Sequence, residues 1–154
     1  MFNSIHLQSP FGSINVFESQ ERIISLEWGD EVQGNLSSVL IEARNQLKAY
    51  FNGRLKVFDL PLTINGSDFQ KGVCRLILQI PFGETQAYGD LAKILNSSAR
   101  PVGGACGRNK IPIIIPCHRV LGVNKNLTGF SGAGGIKTKD ALLRHEGWLP
   151  GQLS

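Results

Sequence analysis

The chain has 154 residues, 42% hydrophobic and 18% charged, which suits one large or two small folded domains and excludes a disordered chain. No apolar run nears the ~20 residues that span a bilayer, the start Met1-Phe2-Asn3-Ser4-Ile5-His6 lacks a signal-peptide pattern, and Cys74, Cys106 and Cys117 lack the spacing of a disulfide framework or zinc ribbon. Net charge is +4, but −3 over residues 1–68 and +7 over 69–154, so the basic second part points to a polyanion, nucleic acid first. A reducing, cytoplasmic setting follows, with no membrane and no metal expected.

In chain order, Ile5–Gln8, Ser13–Phe17 and Arg22–Trp28 are short runs rich in Ile, Val and Phe, separated by Ser9-Pro10-Phe11-Gly12 and Ser19-Gln20-Glu21. They predict a β-meander. From Leu36 to Phe51, apolar residues Leu36, Val39, Leu40, Ala43, Leu47 and Tyr50 step by three and four, which predicts a helix capped by Asn35. Leu60-Pro61-Leu62 and Asn65-Gly66-Ser67 read as a linker. Residues 1–65 thus form a supporting α/β domain, which shows no cluster of catalytic residue types. Residues 66–154 form a second domain.

In that domain, Asp68 caps a predicted helix over 69–79, and Thr85 caps a second containing Tyr88, Leu91, Ala92, Ile94 and Leu95. A third short helix runs from Ala99 to Gly107. Two short helices joined by a polar turn outline a helix-turn-helix. The third helix carries Arg100-Pro101-Val102-Gly103-Gly104-Ala105-Cys106. Each helical glycine costs about 1 kcal/mol relative to alanine. Two compensations are open: close packing inside the protein, or a small face that must approach another surface such as a groove. Pro101 is tolerated because it falls in the first turn.

The run Ile111-Pro112-Ile113-Ile114-Ile115-Pro116 reads as a buried segment, and it delivers Cys117-His118-Arg119 at its end. A thiol becomes a nucleophile when a base or cation lowers its pKa. Adjacent side chains diverge, so Cys117 and His118 need a bridging water, with a carboxylate behind the histidine. Glu146, in Asp140-Ala141-Leu142-Leu143-Arg144-His145-Glu146, is the best candidate. Lys110, Lys125, Lys137 and Lys139 read either as phosphate contacts or as a solvated face.

These residues carry a family resemblance. Ile80-Pro81-Phe82-Gly83-Glu84-Thr85, Tyr88-Gly89-Asp90-Leu91-Ala92, Arg100-Pro101-Val102-Gly103-Gly104-Ala105, Asn109, Pro116-Cys117-His118-Arg119-Val120, Gly129-Phe130-Ser131-Gly132 and Leu142-Leu143-Arg144-His145-Glu146-Gly147 resemble the methylated-DNA–protein-cysteine methyltransferases, or O6-alkylguanine-DNA alkyltransferases. The resemblance implies an α+β fold. A small antiparallel sheet plus helix, ribonuclease H-like, would precede a mostly helical domain with a winged helix-turn-helix-like motif. It implies DNA repair by irreversible, single-turnover transfer of an alkyl group from O6-alkylguanine to Cys117, without a cofactor, and leaves O4-alkylthymine open as a substrate.

By the same resemblance, Glu146 orients His118, which deprotonates Cys117 through water. Tyr88 donates to guanine N3, and Asn109 ties the active-site turn together. Arg100 fills the gap left by the flipped nucleotide, and Pro101, Gly103, Gly104, Arg119 and Ser131 complete the DNA contact. The third helix would enter the minor groove of double-stranded DNA, the protein acting as a monomer. Pro101 stands where alanine is common, Lys110 where proline is usual, and Phe130 where tyrosine is frequent. Two rivals remain. A DNA-binding relative that only recognises the lesion carries tryptophan in place of the cysteine, so Cys117 speaks against it. A cysteine hydrolase is disfavoured by the adjacency of Cys117 and His118.

Overall fold

Strands β1 (Asn3–Ser9), β2 (Gly12–Ser19) and β3 (Arg22–Trp28) pair antiparallel in the order β1-β2-β3 in the computed structural model, which describes residues 2–127, 130 and 134–148. Ile5 faces Val16 and Leu7 faces Ile14 across one pair, while Val16 faces Leu26 across the other. Period-two alternation puts these side chains on one buried face. Helix α1 (Ser38–Phe51) covers that face with Leu40, Ala43, Leu47 and Tyr50, all fully buried.

The helix begins later than its periodicity suggests. Ser37 is the cap, its hydroxyl accepting from the Leu40 amide. Asn35 instead pairs its backbone with Phe2 and Ser4 beside β1, which leaves Leu36 60% exposed. A backbone bridge to a distant strand is invisible to local periodicity.

The chain divides into two compact units, Met1–Ile64 and Asn65–Ser154. In the second, helix α2 (Asp68–Leu78) is capped by Ser67 rather than Asp68. Thr85 caps nothing. It precedes a two-residue strand, β4 (Gln86–Ala87), which lies parallel to β5 (Val120–Leu121). Helix α3 (Tyr88–Ile94) starts straight after, with the Asp90 carboxylate accepting from the Ala87 amide. Helix α4 (Ala99–Gly107) has the expected span and packs on α3 and α2.

Helix α5 (Ile136–His145) ends in a Schellman turn. Gly147, at φ +90°, donates to the Arg144 carbonyl, and Trp148 donates to that of Leu143. Trp148 then packs on Leu143 and Leu121. The left-handed turn needs glycine, and it fixes Glu146 at the helix end with its side chain inside. Among the described residues no helix is long and apolar enough to cross a membrane.

Candidate active site

The apolar run before Cys117 is buried, and it folds as a knot of turns. Ile113 sits at φ +73° while only 1% exposed. For a β-branched residue this conformation costs on the order of 1–3 kcal/mol and persists only when the surroundings over-determine it. Asn109 does so. Its side-chain oxygen accepts from the Ile111 amide at 3.0 Å and its Nδ2 donates to the Ile115 carbonyl at 2.9 Å. The Ile115 amide closes back on Ile111 at 2.9 Å, and that of Cys117 on Ile115 at 2.7 Å. The knot presents Cys117, His118 and Arg119 in a single 3-10 turn, all buried.

From that turn His118 Nε2 lies 2.8 Å from Glu146 Oε2, with both side chains wholly buried. Arg119, expected as a DNA contact, points inward instead. Its Nε donates to Glu146 Oε1 at 2.8 Å, Nη2 to Oε2 at 2.9 Å and Nη1 to the Ile80 carbonyl at 2.6 Å. Its guanidinium also lies 5.9 Å from the centre of the Phe82 ring. The turn lies inside the second unit, so three successive side chains are buried whichever way each one points. The other ring nitrogen, His118 Nδ1, is buried without a hydrogen-bond partner among the described residues.

Lys139 is the residue that sequence reasoning missed. Read as a surface cation, it is fully buried. Its Nζ donates to the Val120 carbonyl at 2.7 Å and to the Tyr88 hydroxyl at 3.3 Å, 5.5 Å from the Tyr88 ring centre. The β4–β5 bridge brings these groups together, because it sets the start of α3 beside the strand that follows Cys117-His118-Arg119. A signal was present: Lys139, Leu142, Leu143 and Glu146 fall on one helical stripe, so Lys139 occupies a core position.

Burial dominates the electrostatics. It pushes the Cys117 thiol up to about 11, although the Asn109 side chain and the Lys139 charge pull the other way. It lowers His118, against the hydrogen bond and charge of Glu146. Burial alone would raise Glu146, but hydrogen bonds from His118 and Arg119 hold it well below the usual carboxylate range. Lys139 is lowered to about 8 by burial. The resting thiol is therefore protonated and needs a base. Among the described residues no group of three or more His, Cys, Asp and Glu could hold a metal ion.

Helix α4 turns Val102, Ala105 and Cys106 inward and leaves Arg100, Pro101 and Gly104 exposed, with Gly103 half-buried. A Cβ at Gly103 or Gly107 would meet nothing within 4 Å. Close internal packing therefore does not explain these two glycines. Buried Gln70 donates to the Ala105 carbonyl at 2.8 Å, tying α2 to the end of α4. Ser131, with Gly129 and Gly132, lies outside the described residues.

Comparison with known proteins gives consistent results. Residues 68–148 match the family described as 6-O-methylguanine DNA methyltransferase, DNA binding domain, and residues 5–64 match its ribonuclease-like domain. The chain is 38% identical to the constitutive methylated-DNA–protein-cysteine methyltransferase of Bacillus subtilis, over 82% of this chain and 84% of that one. It is 49% identical to the methylated-DNA–protein-cysteine methyltransferase of Methanosarcina acetivorans, over 69% of this chain and 68% of that one. The crystal structure of the Mycobacterium tuberculosis O6-methylguanine methyltransferase superposes with a TM-score of 0.84 at 36% identity, covering 99% of this chain and 97% of that one. The Mycobacterium tuberculosis OGT in complex with DNA gives 0.82 at 38% identity, covering 94% and 91%.

Proposed function

We propose Cys117 as the alkyl acceptor of this chain, which belongs to the 6-O-methylguanine DNA methyltransferase family and repairs DNA by transferring an alkyl group from the DNA to its own cysteine. The observation that carries the assignment is the relay behind the thiol. Glu146 holds Nε2 of a wholly buried His118, and Nδ1 is left as a buried acceptor with no protein partner among the described residues. A water there would pass the Cys117 proton to His118. The thiolate sulfur then attacks the alkyl carbon on guanine O6. The carbon–oxygen bond breaks, and guanine leaves as its anion, taking a proton.

Tyr88 supplies that proton or hydrogen bond at guanine N3. Lys139 donates to the Tyr88 hydroxyl, so it orients the phenolic hydrogen toward the base and favours the developing tyrosinate. Asn109 keeps the strained loop closed. Exposed Arg100 fills the stack after the nucleotide flips, and Pro101, Gly103 and Gly104 let α4 lie close in the minor groove of double-stranded DNA. The protein acts as a monomer, since one chain supplies every one of these groups. A cytoplasmic setting suits the free thiols of Cys74, Cys106 and Cys117.

The product thioether has no ionisable proton and no carbonyl for water to attack, so each chain reacts once. Intact-mass measurement after incubation with DNA containing O6-methylguanine tests this. The expected result is a gain of about 14 Da on Cys117, with product reaching a plateau at one equivalent and none formed by Cys117→Ser. Continued product formation, or methyl on Cys74 or Cys106, would overturn the assignment.

A further inference from the structure

Helix α4 has two different sides. Val102, Ala105 and Cys106 are buried, while Arg100, Pro101, Gly104 and Gly107 are exposed, with half-buried Gly103 at their border. At about 100° per residue, Gly107, Arg100, Gly104, Arg108 and Pro101 follow one another round the exposed sector. The glycines leave a bare strip there, and Arg108 rises at its edge from the cap position that ends the helix. The Arg108 backbone is held in place. Its amide donates to the carbonyls of Gly104 at 3.2 Å and Ala105 at 3.1 Å, and the next residue, Asn109, is locked into the loop before Cys117.

The exposed Arg108 side chain folds back along the helix instead of leaving its surface. Its Nη1 lies 3.3 Å from the point that a Cβ on Gly104 would occupy. A helix C-terminus attracts cations through its last carbonyls, but the guanidinium makes no hydrogen bond to any of them. Among the described residues it has no ion-pair or ring partner either. The guanidinium therefore keeps its full set of N–H donors for a partner outside the protein. It rests where it does because Gly104 has no side chain, and moving it away breaks no bond.

We propose that Arg108 is a DNA-binding residue that covers Gly104 in the free protein and swings onto a backbone phosphate at the groove wall when α4 docks. The inference rests on the reading of α4 as a minor-groove helix given above. The minor groove is about 6 Å wide and a helix with its side chains about 10–12 Å across. Only the bare strip can lead into such a groove, and side chains at the edge of the strip meet its walls, which are phosphate. Docking takes up the space over Gly104, so the guanidinium must leave it. A wall phosphate then offers the charged, bidentate acceptor that the free protein lacks. Arg100 and Arg108 have separate tasks on this account: one fills the stack, and the other adds affinity that is independent of sequence.

The test is equilibrium binding of the full chain to undamaged DNA duplexes, followed by fluorescence anisotropy from about 50 to 200 mM salt. Each phosphate contact contributes about 0.9 to the slope of log affinity against log salt. Arg108→Ala and Arg108→Gln should each lower the steepness of that slope by about 0.9, by the same amount on duplexes of different sequence. Arg108→Lys should keep the wild-type slope, because an ammonium also neutralises a phosphate. Exposed Lys48 on α1 is the control. Lys48→Ala removes the same formal charge far along the chain from α4 and should leave the slope unchanged. An unchanged slope in Arg108→Ala, an equal drop in Lys48→Ala, or a loss confined to particular base sequences would each overturn the proposal. A wild-type chain without salt-dependent binding to duplex DNA would instead defeat the groove-binding reading, and this inference with it.

Discussion

The first unit encloses Ile5, Leu7, Ile14, Val16, Ile23, Leu26, Leu40, Leu47 and Tyr50, and its buried carboxylate Glu18 accepts from the neutral Asn3 side chain. The second unit buries His118, Arg119, Lys139 and Glu146 among residues as apolar as Ile115, Val120 and Leu142. Apolar burial stabilises at about 25 cal/mol per Å² and asks only for size and shape. A buried charge carries a desolvation cost that its partners must offset, so a cluster of four reflects chemistry rather than stability. One interior holds a fold together, and the other spends part of that stability on a reactive thiol.

The sharpest way to break this comparison is Glu146→Gln. It leaves Arg119 as an unbalanced buried cation and removes the charge behind His118. We expect the single-turnover transfer rate to fall by about 10²–10⁴ and denaturant unfolding to show a loss of about 3–5 kcal/mol. The acid limb of stability should flatten as well. The folded carboxyl titrates below its unfolded value of 4.5, so its contribution is full above that value and is lost as pH falls through the lower folded one. An unchanged rate would mean that another acid orients His118.

The first unit should show the converse. Leu47→Ala removes a fully buried side chain from the α1 face and should cost about 2–5 kcal/mol by denaturant titration. Transfer per folded molecule should keep its wild-type rate constant, because every proposed reacting group lies in residues 65–154. A large drop in that constant at full folding would show that the supporting unit takes part in the chemistry.

The smallest effect concerns Lys139. Its folded value of about 8 lies below the unfolded 10.5, so the unfolded chain holds the extra proton between them and stability rises with pH across that window. The buried thiols work in the opposite direction once pH passes their unfolded value of 9.0. Between pH 8 and 9 the wild type should therefore gain about 1 kcal/mol relative to Lys139→Met. Thermal or chemical unfolding of both proteins at the two pH values checks this, and a constant difference would mean that Lys139 stays fully protonated throughout.

Much of the architecture was legible in the order of residues. Short β-prone runs between turn residues marked the meander, and three-four spacing marked the inner face of α1. The burial of the segment before Cys117 announced itself through a proline-bounded apolar run, and Glu146 stood out because few carboxylates occur after residue 68. These are local signals, since hydrophobic period and turn chemistry are properties of short segments. What the order of residues left undecided was which charged groups face inward. Arg119 stood as a DNA contact by resemblance until the 3-10 turn aimed it at Glu146 and the Ile80 carbonyl. Lys139 looked like one of several lysines until a two-residue strand pair, too short to leave a pattern, set Tyr88 and Val120 around its amine. A charged side chain can be buried only where partners distant in the chain supply its hydrogen bonds and counter-charge, and only the tertiary structure assembles them.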